Sequence, residues 1–351
     1  MQAEAATSSK ATRSPQRRNQ QQQDLQRNLR HFLSIASAGD LNTIYRNRPV
    51  WATNDEKYLT ETALQVFKSV PSAKLAVLNY VGLLAHEGTH LHMSKCENSH
   101  FSVDASAIEG AVYRFAQVFN QSLNEIDTKE WATDMLRWSS LLLAEVCKQN
   151  AGRRATNGPA GPLTLVELLR VYVLCPCIEQ IIDLLNASIK FLLNCDPESC
   201  ISVIVETAKI YGANFDWIIT HVGTMFPGAM VNPLLSVGLE EFRTYVTDLS
   251  VREAQLPQMT AAQLHEDYQL KFRSLSAILS HLARQQSAEL KTSLRRLLVE
   301  SLTTNGVESA DLSLAFLFKL VTFSPNVLRV LVQEANDLDA HEEEQVKQRV
   351  Q

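Results

Sequence analysis

Turn-forming residues are scarce in this chain: 351 residues hold only 12 glycines and 11 prolines. That is about half the usual share, and it argues against a fold built from many short strands and tight turns. Cysteine is scarce too, at six, too few to staple a chain of this size. They are expected to be reduced thiols in an intracellular protein. No run of 18 apolar residues occurs and the N-terminus has no apolar signal core, so neither a spanning helix nor secretion is expected. An excess of positive charge is also missing. The net charge is −5, so nothing in the global balance points to nucleic acid or an anionic membrane. What is present is apolar material, 45% of residues against 20% charged, enough for a folded chain of two or three packed units.

Residues 1–23 read as a disordered basic and Gln-rich tail, with Arg13, Arg17 and Arg18 as its charge cluster and no apolar stripe to bury. From Asp24 onward the apolar residues recur with a helical period. Leu25, Leu29, Phe32 and Leu33 form one stripe; Tyr58, Leu59, Ala63, Val66 and Phe67 the next. Later stripes carry Leu75 to Leu84, Ile108 to Phe119 and Trp131 to Val146. Such amphipathic helices need neighbours to be stable in water. Residues 24–150 are therefore the first part of a helical array. Residues 151–163, rich in glycine and proline, form a linker or loop, and residues 164–338 the second part of the array. Residues 339–351 are a charged C-terminal end. The β-branched run Ile201 to Val205 is assigned to a helix, because a lone strand would leave its ladder unpaired.

Pro71, Pro197 and Pro325 each open a helix after a short break, and they are spaced by roughly three periods of about 42 residues, the helical-hairpin period of HEAT and armadillo arrays. The expected fold is all-α, an antiparallel helical-repeat (HEAT/armadillo-like) α-solenoid.

One motif suggests chemistry. His86-Glu87-Gly88-Thr89-His90 is an H-E-x-x-H sequence, in which two histidines share a helix face and can hold zinc while the glutamate acts as base. Glu109 follows at the separation of the third ligand in thermolysin-like aminopeptidases. Against a zinc aminopeptidase-like (gluzincin) enzyme stand the absence of alternating strands before His86, too little chain to build a sheet there, and the lack of a Gly-x-Met-Glu-Asn exopeptidase loop. Cys96, His92 and His100 lie nearby without paired spacing. Cys175, Cys177, Cys195 and Cys200 are spaced wrongly for a four-thiolate site and read as core residues. No phosphate-cradling loop or nucleophile elbow is present. A third reading, an RNA-contacting platform, would use the Arg13–Arg18 tail and the basic face of Lys291, Arg295 and Arg296.

A longer segment is more distinctive. Asn214-Phe-Asp-Trp-Ile-Ile-Thr-His-Val-Gly-Thr-Met-Phe-Pro-Gly228 is followed by Leu234-Leu-Ser-Val-Gly-Leu-Glu-Glu-Phe242. It resembles the N-terminal region of the Integrator complex subunit 5 family, and weaker similarity spans most of Pro71 to Leu338. Its signature positions here are Phe215, Asp216, Trp217, His221, Gly223, Phe226, Pro227 and Gly228, as packing or interaction residues. Their own chemistry makes Trp217 and Phe226 packing anchors or partner hot spots, Asp216 a first-turn acid, His221 a core histidine, and Phe226-Pro227-Gly228 a sharp helix end. The resemblance implies a non-catalytic scaffold subunit of a nuclear assembly bound to RNA polymerase II. That assembly processes small nuclear RNA precursors and attenuates transcription. The implied partners are other Integrator subunits, notably subunit 8, the protein phosphatase 2A module and, indirectly, RNA polymerase II. No cofactor, metal, membrane or direct nucleic-acid contact is implied. The family is not a zinc peptidase, which weighs against catalysis at His86 and His90. Its chains are longer, so the sequence to Gln351 is expected to be an N-terminal part.

Overall fold

A computed structural model describes residues 53–97, 104–123, 129–151, 164–252, 258–303 and 308–350. The tail, the stripe from Leu25 to Leu33 and all of the 151–163 linker except Ala151 lie outside the described residues. Thirteen α-helices occupy them: α1 (Thr53–Ser69), α2 (Lys74–Glu97), α3 (Ser106–Leu123), α4 (Lys129–Gln149), α5 (Leu165–Val173), α6 (Pro176–Cys195), α7 (Pro197–Tyr211), α8 (Asp216–Met225), α9 (Pro227–Arg252), α10 (Gln258–Arg284), α11 (Ala288–Thr303), α12 (Glu308–Phe323) and α13 (Pro325–Val350). Short 3₁₀ turns lead into α2 and α8. Among the described residues there is no strand, and Ile201 to Val205 lies within α7.

The helix boundaries follow local chemistry. Proline opens α6, α7, α9 and α13, where its missing N–H belongs to a group with no intrahelical partner. Thr164 caps α5 through a complete capping box: its hydroxyl meets the Glu167 amide and the Glu167 carboxylate accepts from the Thr164 amide at 2.7 Å. Asp196 caps α7 by accepting from the Ser199 amide, and its carboxylate also holds Lys129 of α4 at 2.7 Å. That pairing, first with Lys129 and then with Ser199, draws the Asp196 pKa down to about 2. Gly212, at φ 50°, ends α7 in a conformation that glycine reaches without a Cβ penalty.

One apolar cluster runs from α1 to α13. Its first node is aromatic: Phe67 of α1 meets Phe119 of α3 at 4.8 Å and Trp131 of α4 at 5.4 Å between ring centroids. A later node sets Phe242 of α9 against Phe272 of α10 and Phe316 of α12. Each substantial helix pairing joins elements no more than four places apart in chain order, with α4 and α3 against α6 and α11 against α12 among the most extensive. That is the packing of an all-α solenoid, in which each helix buries its stripe on near neighbours.

The helix end expected at Phe226-Pro227-Gly228 is present: α8 stops at Met225, Phe226 leaves helical geometry at φ −131° and ψ 56°, and Pro227 opens α9 at once with Gly228 in its first turn. Continued periodicity through Met230, Val231 and Leu235, all buried, carries the helix forward. It runs to Arg252 and tolerates Pro233 in its interior.

Candidate functional site

The H-E-x-x-H segment lies in the middle of α2, a helix buried on nearly every side from Val77 to Met93. His86 is almost wholly enclosed, and desolvation lowers its pKa to about 4. Gly88 faces α6 so closely that a Cβ there would stand 2.3 Å from Cys177 Sγ. Thr89 donates to the Ala85 carbonyl at 2.7 Å and lies 3.8 Å from the Cys175 thiol. Glu87 and His90 are half-buried. Glu109, in the first turn of α3, acts electrostatically on His92 and on Cys175. Among the described residues no three His, Cys, Asp or Glu side chains converge closely enough to share an ion. His86, His90 and Glu109 are therefore not assembled as a ligand set, and the geometry gives the peptidase reading no support.

The segment from Phe215 to Gly228 forms a buried junction instead. Phe215 and Trp217 have no exposed surface, and Trp217 stacks on Tyr172 of α5 with ring centroids 4.9 Å apart. Polar edges of Tyr172 and Trp217 face the Cys147 thiol of α4, but burial outweighs them and pushes its pKa up to about 11. Asp216 accepts a hydrogen bond from Ser274 Oγ of α10. Desolvation raises its carboxyl to about 6, against the pull of Ser274, so its charge serves the helix dipole less than a solvated first-turn acid would. His221 Nε2 lies 3.3 Å from Asn186 Oδ1 of α6, and burial lowers its pKa. Gly223 lets α8 approach Leu282 of α10. Phe226 and Pro227 are half-buried, and Gly228 is exposed with open space where a Cβ would stand. The partners Cys147, Tyr172, Asn186, Ser274 and Leu282 carry no mark in the sequence, because each is brought in from a distant helix.

The basic face of α11 is engaged in part. Arg295 lies 4.0 Å from Glu334 of α13, while Arg296 donates to Asn232 Oδ1 and pairs with Glu300. All six cysteines are free thiols, with Cys96 and Cys195 exposed. Large apolar side chains stand in solvent at Leu174 (67% exposed), Ile210 (71%) and Phe318 (64%), where a helical array has surface to offer a partner. No helix among the described residues is long and apolar enough to cross a membrane.

The sequence matches the family described as Integrator complex subunit 5 N-terminus over residues 15–244. It also matches Integrator complex subunit 5 C-terminus over residues 271–342, a match to the C-terminal family that the N-terminal resemblance alone does not imply. Integrator complex subunit 5 of Mus musculus is 24% identical over 303 residues, covering 78% of this chain and 30% of that protein. The Drosophila melanogaster protein of the same name is 21% identical over 325 residues, covering 88% of this chain and 29% of its own length. The chain thus spans less than a third of the length of these relatives. Matches to both family descriptions, laid end to end along one helical stack, place the chain in the Integrator complex subunit 5 family.

Proposed function

We propose that this chain is a non-catalytic scaffold within the nuclear Integrator complex, supporting small nuclear RNA 3′-end processing and attenuation of RNA polymerase II transcription. Its mechanism is surface presentation. Helices that bury one stripe on their neighbours hold their outer faces in a fixed order, and binding energy comes from apolar and charged patches spread along those faces. Subunit 8 and the protein phosphatase 2A module are the partners this reading names, with RNA polymerase II reached indirectly. A HEAT or armadillo repeat type belongs to the same reading, as does a packing role for Phe215, Trp217 and Phe226. The observation that carries it is the family match across residues 15–244 and 271–342. Affinity purification of the tagged full-length protein from nuclei tests it. Co-recovery of Integrator subunits, subunit 8 among them, is expected; recovery of none would defeat the reading.

A further inference from the structure

One side of α13 is left bare by the stack. Leu328 (46% exposed), Arg329, Val332 (49%) and Asn336 are exposed along it, while Val327 and Val330 are buried on the other side. Charge is divided along the same helix. Near its start stand Arg329 and, on either α12 or α10, two cations over the Phe323 ring: Lys319 at 5.5 Å and Arg273 at 5.9 Å from its centroid. None of the three has an ion-pair partner among the described residues. Toward the other end, residues 337–344 carry five carboxylates: Asp337, Asp339, Glu342, Glu343 and Glu344. At about 1.5 Å of rise per residue these stand roughly 18 to 28 Å beyond Pro325, so the helix holds its basic and acidic ends apart.

We infer that this side of α13 binds a second copy of the chain, whose own α13 lies antiparallel to it, the acidic end of each helix against the basic end of the other. The complement of each end is the other end of the same helix turned round, so a two-fold axis lets one patch serve both copies. With the axis at Asn336, Arg329 meets Glu343, each seven residues from it, and Val332 meets Ala340, each four residues from it. Seven residues make nearly two full turns, which puts Arg329, Asn336 and Glu343 on one face of the helix. The charges fix direction and register, because a parallel arrangement would bring like charges together. Val332 adds apolar area at the centre. An interface this polar gives a reversible dimer that salt weakens.

Sedimentation equilibrium of the purified full chain tests this with no other subunit present, so its outcome is independent of the scaffold reading. At micromolar concentration and low salt the chain should weigh as a dimer, and at high salt as a monomer. Arg329→Glu and Glu343→Arg should each weaken the dimer at least about tenfold, since the two-fold axis repeats each like-charge contact. The double variant, with the charges exchanged, should restore it. Circular dichroism confirms that each variant keeps its helicity. A monomer at low salt would overturn the inference, whether a different chain or none then covers α13. So would a dimer indifferent to Arg329→Glu, or one that the exchange fails to restore.

Discussion

Gly88 and Gly110 sit on consecutive helices, and adding carbon to them should have opposite effects. A side chain at Gly88 meets Cys177 Sγ at 2.3 Å and Ile108 Cγ2 at 3.3 Å, both inside the core. Gly88→Leu should destabilise by roughly 1–3 kcal/mol through overpacking. At Gly110 nothing lies within 4 Å of a new Cβ. Gly110→Ala should stabilise by up to about 1 kcal/mol, the helix-propensity difference. Denaturant midpoints of the two variants should move in opposite directions; movement the same way would mean that α2 does not lie against Cys177. Two buried titratable groups make a second pair. Asp216 has a folded pKa near 6, above its unfolded value of 3.8, so the native state holds the extra proton between those values and the group's contribution is lost as pH rises. His86 has a folded pKa near 4, below its unfolded value of 6.5, so its contribution is lost as pH falls through the same range. Each spans up to roughly 3 kcal/mol, and together they largely cancel. Asp216→Asn should therefore reveal a steeper acid loss of stability between about pH 4 and 6, and His86→Gln a shallower one. Identical pH profiles for wild type and both variants would refute the burial assigned to these groups.

Helix ends show what the sequence can and cannot convey. Pro197 and Pro325 were legible as starts because a stripe resumes directly after each. Pro227 was not, since proline after a helix and proline opening the next one look the same over three residues, and here it does both, following the end of α8 and opening α9. What decides is the long-range burial of Met230, Val231 and Leu235. The same limit applies to the family segment: its aromatic residues were legible as anchors, but the stacking of Trp217 on Tyr172 joins helices 45 positions apart and leaves no periodic signal. H-E-x-x-H shows the reverse failure, a pattern whose spacing suits zinc in a helix whose burial serves packing. At this scale the capping box of α5 gives a clean test. Thr164→Ala should cost about 1 kcal/mol and speed amide exchange chiefly across 165–173, because α5 is only nine residues long. Protection unchanged in α5 would show that packing on α6 and α8 alone holds it.

Over the whole molecule, the continuous core makes neighbouring helices depend on one another, while the outer faces remain available. The surface apolar residues Leu174, Ile210 and Phe318 belong to the end of α5, to α7 and to α12 respectively, so they sample separate parts of the stack. A scaffold should tolerate their replacement by serine with little change in its own stability, yet lose affinity for whichever subunit covers each one. The central claim is that this helical stack works by contact with other Integrator subunits. Cross-linking mass spectrometry on the assembly purified from nuclei measures this most directly. The account predicts cross-links from lysines within residues 53–350 to other Integrator subunits, subunit 8 included. A chain that cross-links only to itself within an otherwise intact assembly would contradict it.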